Sequence, residues 1–275
     1  MKKIIYILTS LFLTGTILSS CTKAKDEAIG DTEMLTASAI IDMNYELDFS
    51  SGIDQSVIND SYHETLPAQS TGLPPCASVT VETASGGAFP RTFTVDFGSG
   101  CEYNGFTRSG KLIITLDDYF MNPGSEMTVE RENYKVDGWA IEGKVTFVNE
   151  TTDAAIPSWS RTTTNGVFTN PEGVVFTHYG NRTIKQLEGF LSPEIDDNVY
   201  EISAGNHHLT RDDGNTLNIS IVSPVIKAMS CDYISKGIMH IEGGLLNGNI
   251  DYGNGDCDNT AVYTHNNGLT FTMNL

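Results

Sequence analysis

The 275-residue chain carries 35 Asp and Glu against 16 Lys and Arg, a formal charge of −19. Binding to nucleic acid and to anionic headgroups is driven by Lys and Arg neutralising phosphate, so so acidic a chain excludes nucleic acid as a partner. Five cysteines and an apolar amino terminus point to an exported protein rather than a cytosolic one.

The chain opens MKKIIYILTSLFLTGTILSSC, with Lys2 and Lys3 ahead of an apolar run from Ile4 to Leu18. That run is short for a membrane span and has the layout of a secretory signal over residues 1–20. Leu18, Ser19, Ser20 and Cys21 resemble a lipobox, which makes Cys21 the expected lipidation site and new amino terminus. Loss of Lys2 and Lys3 leaves 14 basic against 35 acidic residues, about −21. Residues 21–30 then read as a lipidated tether. Within it, Lys25, Asp26 and Glu27 resemble the lysine-plus-acid signal that carries Bacteroidota lipoproteins to the outer face of the outer membrane.

Residues 31–75 read as a helical or irregular segment. Met34, Leu35, Ile40, Ile41, Met43 and Leu47 fall loosely at helical spacing behind Asp31 and Thr32, and proline, serine and glycine thicken towards Pro75. From Cys76 the texture becomes period two. RTFTVDF, KLIITL, GVVFTHY and NTLNISIV alternate apolar with polar residues, and Leu217, Ile219 and Ile221 face away from Asn218 and Ser220. Ser109–Gly110, Asp213–Gly214 and Asn267–Gly268 supply turn chemistry. With no helical period after Cys76, residues 76–275 form one all-β, antiparallel, multi-stranded domain. Alternation does not encode strand order, so a sandwich, a barrel and a curved sheet all stay open.

Two segments echo each other. Residues 76–116 and 231–275 each run from a cysteine through a strand to DFGSGC or DYGNGDC, and close on a further strand. The cysteine spacings are 25 and 26, with Asp256 as the insertion. This internal repeat favours Cys76–Cys101 and Cys231–Cys257 among the three pairings that four cysteines allow. Each bond would contribute about 3.5 kcal/mol through chain entropy.

The lipobox, DFGSGC with TRSGKLIITL, CDYISKGIMHI and DYGNGDCDNTA are together similar to a family of uncharacterised outer-membrane lipoproteins of Bacteroidota. The resemblance implies an envelope address and the repeat, and carries no catalytic residue.

Candidate chemistry is thin. Asp251, Asn254, Asp256 and Asp258 could offer oxygens to calcium, but DFGSGC keeps little of that acid, so no cofactor is expected. Glycines beside a disulfide, with Asp96 and Asp251 accepting backbone hydrogen bonds, account for the shared phrase. Adjacent His207 and His208 face opposite ways on a strand and cannot share one zinc. His178 and His240 read as polar-face residues. No G-x-S-x-G elbow occurs, and Asp117, Asp118, Glu194, Asp196 and Asp197 read as solvated loops. Trp139, Trp159, Tyr134 and Tyr179 read as core before sugar platforms. The expectation is a lipid-anchored, non-catalytic binding or structural module with a glycan or surface protein as ligand, held to the membrane by its lipid. The alternatives are a glycan hydrolase with an unrecognised carboxylate pair and a calcium-dependent adhesive module.

Overall fold

The computed structural model describes residues 18–58, 74–84, 88–103, 105–190, 197–231 and 233–274, with helix side chains at residues 33–53 and 55. Among the described residues one helix, α1 (Leu18–Ile58), precedes fourteen strands. These are β1 (Ser78–Thr83), β2 (Arg91–Asp96), β3 (Cys101–Tyr103), β4 (Phe106–Leu116), β5 (Glu126–Val136), β6 (Trp139–Asn149) and β7 (Ser158–Thr169). They continue with β8 (Val175–Glu188), β9 (Val199–Arg211), β10 (Thr216–Ala228), β11 (Lys236–Gly243), β12 (Leu246–Asn254), β13 (Thr260–His265) and β14 (Thr270–Asn274).

All strands belong to one open sheet in the order β1-β2-β4-β5 and so on to β14, with β3 a short flap on β4. Every neighbouring pair is antiparallel. The all-β expectation is met, and of the three architectures left open the chain adopts the curved sheet. The turns at Gly214 and Gly268 lie where the sequence puts them, with φ of 91° and 90°. Ser109–Gly110 does not form a turn: Gly110 lies inside β4 at a register shift opposite β5. Its φ is 76°, and a Cβ there would sit 2.2 Å from the Asn133 carbonyl, so the glycine makes a bulge.

The helix lies against the inner face of the sheet. Phe49 packs on Phe147 of β6, Trp159 of β7 and Tyr200 of β9, with ring centroids 5.2, 5.1 and 6.2 Å away. Strands that far apart can meet one side chain only if the sheet curls around it. Met34, Ala37, Ile41, Tyr45 and Phe49 share one core with inward residues from Phe93 on β2 to Tyr263 on β13. At Gly52 the helix comes so close to β5 that a Cβ would lie 2.0 Å from Met127 Sδ. The helical backbone also takes in residues 21–30, read from sequence as a tether. Ala24, Lys25, Glu27 and Ala28 are good helix formers, which accounts for the difference.

Candidate functional site

The cysteines pair as the spacing implies, Cys76 with Cys101 and Cys231 with Cys257, at Cα separations of 5.6 and 5.4 Å. The two echoed phrases close in the same way. Asp96 Oδ1 accepts the Gly98 N–H at 2.8 Å, and Asp251 Oδ1 accepts the Gly253 N–H at 2.9 Å. Both glycines have positive φ, 61° and 88°. Asp258 Oδ1 takes the Thr260 N–H and hydroxyl at 2.8 and 2.7 Å, bonds that lower its carboxyl pKa. Asn254 ends β12 and Asp256 follows in the loop, both exposed. Among the described residues, no group of three or more His, Cys, Asp or Glu side chains is placed to hold a metal ion.

His207 is buried on the inner face and His208 lies on the outer, as strand alternation requires. His178 departs from its expected place: it is 2% exposed inside the core. Its strand mates Phe176 and Arg182 also point inward, so the inner face of β8 is part polar. Trp159 and Tyr134 are core and Trp139 is half-buried, whereas Tyr179 is 58% exposed. Asp117 and Asp118 are exposed in the turn after β4, where they bind the Glu126 and Tyr119 N–H groups at 2.6 and 2.8 Å. Asp197 is exposed too, while Glu194 and Asp196 lie outside the described residues.

The interior holds a charge cluster that sequence reading missed. The chain has six arginines, and Arg108, Arg131, Arg161 and Arg182 are all buried around α1. Asp42 receives Arg161 Nη2 on Oδ1 at 2.9 Å and Arg182 Nη2 on Oδ2 at 3.3 Å. Burial pushes the Asp42 carboxyl up, but Arg182, His207 and Arg161 together outweigh it and hold it well below the usual range. Asp48 pairs with Arg131, both side chains 1% exposed. Arg108 reaches Ser51 Oγ at 3.4 Å and lies 5.3 Å from the Phe97 ring. Ser38 bonds His207 Nε2 at 3.1 Å, and Tyr45 bonds His178 Nδ1 at 3.2 Å. Burial lowers both histidines, His178 to about 3, so the rings are neutral. Glu46, one turn beyond Asp42, is raised by burial to about 7. Ser38, Asp42 and Tyr45 recur at i, i+4 and i+7, and Asn44, Asp48, Ser51 and Gln55 are buried, so the helix carries a polar stripe toward the sheet. The cluster fixes α1 to β5, β7, β8 and β9. Asp42 and Asp48 in it are bound to guanidinium groups.

The outer face of β8–β12 is chemically different. Strand register places Asn181, Asn206, Ser220, His240 and Asn249 in one row across these five strands. A second row, two residues along each strand, holds Tyr179, His208, Asn218, Glu242 and Asn247. The Tyr179 and His208 rings lie 4.8 Å apart at 32°. His208 Nδ1 meets Asn218 Oδ1 at 2.5 Å and His240 Nδ1 meets Asn249 Oδ1 at 2.9 Å. An amide oxygen cannot donate, so each Nδ1 carries the proton. Thr210 then donates to His208 Nε2 at 3.0 Å. The patch is a fixed array of amides and rings.

On β2–β7 the first row continues as Thr92, Thr115, Thr128, Thr146 and Thr162. Strand propensity and cross-strand threonine pairing account for that half. They do not account for the other, because asparagine is depleted in strands. No known protein family, curated protein or solved structure matches this chain.

Proposed function

We propose that this chain is a lipid-anchored outer-membrane protein, acylated at Cys21, that acts as a non-catalytic binding module through the outer face of β8–β12. The observation that carries the reading is the amide patch around Tyr179: five asparagines within strands violate local preference, and such violations concentrate at functional surfaces. An exposed aromatic beside fixed amides is what a polar ligand with one apolar face requires. Asp42 and Asp48 on α1 are each bound by arginine, Asp48 buried and Asp42 25% exposed, which supports binding over hydrolysis. The lipobox and the similarity to Bacteroidota lipoproteins support the envelope address, and the matched turns at Asp96 and Asp251 support a duplicated unit behind the repeat.

The test has two parts. Labelling cells with a radioactive fatty acid should mark the wild-type chain and spare Cys21→Ser; equal labelling would refute the anchor. The chain carrying Cys21→Ser, applied to an array of bacterial and plant glycans, should retain at least one class. An array on which nothing binds would refute the binding-module reading.

A further inference from the structure

We propose that the amide patch is an extended subsite array for an uncharged polysaccharide, which lies across the strands along the two rows with Tyr179 as its stacking platform. The inference rests on the binding-module reading above and adds the ligand's charge, its orientation and the residues that hold it.

The rows run in the direction of strand-to-strand hydrogen bonding, where successive side chains stand about 4.8 Å apart, so β8 to β12 spans about 19 Å. That is the extent of an oligomer and not of one sugar, and the hydrogen-bonding groups repeat along it. Each His–Asn pair uses the amide oxygen, so Asn218 and Asn249 present their N–H2 groups to whatever lies on the face. Asn181 Oδ1 likewise accepts the Asn206 backbone N–H, at 3.3 Å, which orients its side chain. Orienting the donors beforehand lowers the ordering cost of binding. Tyr179 stands at the β8 end of its row, its ring exposed and braced by His208. A sugar's C–H face can stack there while its hydroxyls meet the amides.

Charge narrows the ligand class. Among the ten residues of the two rows only Glu242 is acidic and none is Lys or Arg. An anionic polymer finds no cation on the patch and an acidic chain around it. A protein partner is disfavoured for another reason: interface cores are apolar and aromatic, and nine of these ten side chains, all but Tyr179, are polar or ionisable. Nucleic acid is disfavoured by the same absence of cations.

The test is isothermal titration calorimetry with uncharged glucan and N-acetylglucosamine oligomers, from disaccharide to octasaccharide, and polygalacturonate as the anionic comparison. Affinity should rise with length and level off once the five strands are spanned, and it should not change with added salt. Tyr179→Ala and Asn218→Ala should each weaken binding about five- to tenfold, the scale of one aromatic contact or one amide pair. Thr128→Ala, on the threonine half of the same row, should leave it unchanged. All three side chains lie on the outer face, and unchanged melting temperatures will show that the fold is intact. Glycan binding that survives both patch substitutions would overturn this inference and leave the binding module standing at another surface. Tighter binding of polygalacturonate would overturn the charge assignment. If the array of the preceding section retains no glycan, the broader reading falls first.

Discussion

Asp42 tests how the helix is held. Asp42→Ala removes a carboxylate, 25% exposed, that faces two guanidinium groups, Arg161 and Arg182, whose side chains are 5% and 1% exposed. Breaking a buried pair from one side leaves an uncompensated charge and costs about 3–5 kcal/mol. For a domain of this size each kcal/mol moves the melting temperature by about 2–4 °C, so thermal unfolding at pH 7 should shift down by about 10 °C. The depressed Asp42 pKa sets the pH dependence. A carboxylate held below its unfolded value contributes stability that is fully present above about pH 4 and is lost as pH falls further. The deficit of the variant should therefore be constant at neutral pH and shrink in acid. Asp42→Leu combined with Arg161→Met and Arg182→Met should recover part of the loss, since a well-packed apolar replacement of a buried ion cluster is often neutral. Asp213→Ala at the exposed Arg211 pair is the control and should leave the melting temperature close to that of the wild type. If Asp42→Ala behaves like that control, the cluster does not anchor α1 and the account of the interior is wrong.

Glu46 carries the opposite sign. Its raised pKa, to about 7, means that the folded state holds a proton that the unfolded state releases from about pH 4.5 upward, so its burial lowers stability as pH rises through 7. Glu46→Gln should match the wild type near pH 4 and exceed it by about 2–3 kcal/mol at pH 8 in urea unfolding; equal stabilities at pH 8 would contradict that. His178 and His207 act in the other direction, being neutral when folded, so stability falls as pH drops below about 6.5. His178→Phe should soften that fall, read as the slope of melting temperature between pH 6.5 and pH 4. Replacing Cys231 and Cys257 by serine should cost about 3.5 kcal/mol, from the loop they close with a sequence separation of 26. Non-reducing peptide mapping that links Cys76 to Cys231 would overturn the pairing.

The strands were legible because each announces itself locally. In NTLNISIV, Leu217 and Ile219 are buried and Asn218 is exposed, as alternation alone requires. The disulfides were legible because the two phrases echo one another. The interior was not, because its signal is divided between distant segments. Arg161 shares a face with Trp159 and Arg182 with Phe176, which alternation could have revealed, but an inward arginine makes sense only once Asp42 is known to lie opposite, 119 and 140 residues earlier. The patch is hidden in the same way. Asn181, Asn206 and Asn249 are ordinary outward residues one strand at a time, and the row exists only in the register between strands.

The interior and the patch are linked through charge. Four arginines, offset by Asp42, Asp48 and Glu46, give the core a balance of about +1, or +2 when Glu46 is protonated. With −19 for the whole chain, everything outside the core then carries about −20 to −21. The fold spends its scarce arginines on fixing the helix and leaves the exterior more acidic than composition alone suggests. On such an exterior, a field of amides with one carboxylate among ten residues is a neutral island. Long-range attraction cannot bring a ligand to it, since steering requires opposite charge. Recognition there has to come from many short-range hydrogen bonds and a stacked ring, which is the chemistry an uncharged chain of sugars offers and a charged polymer does not.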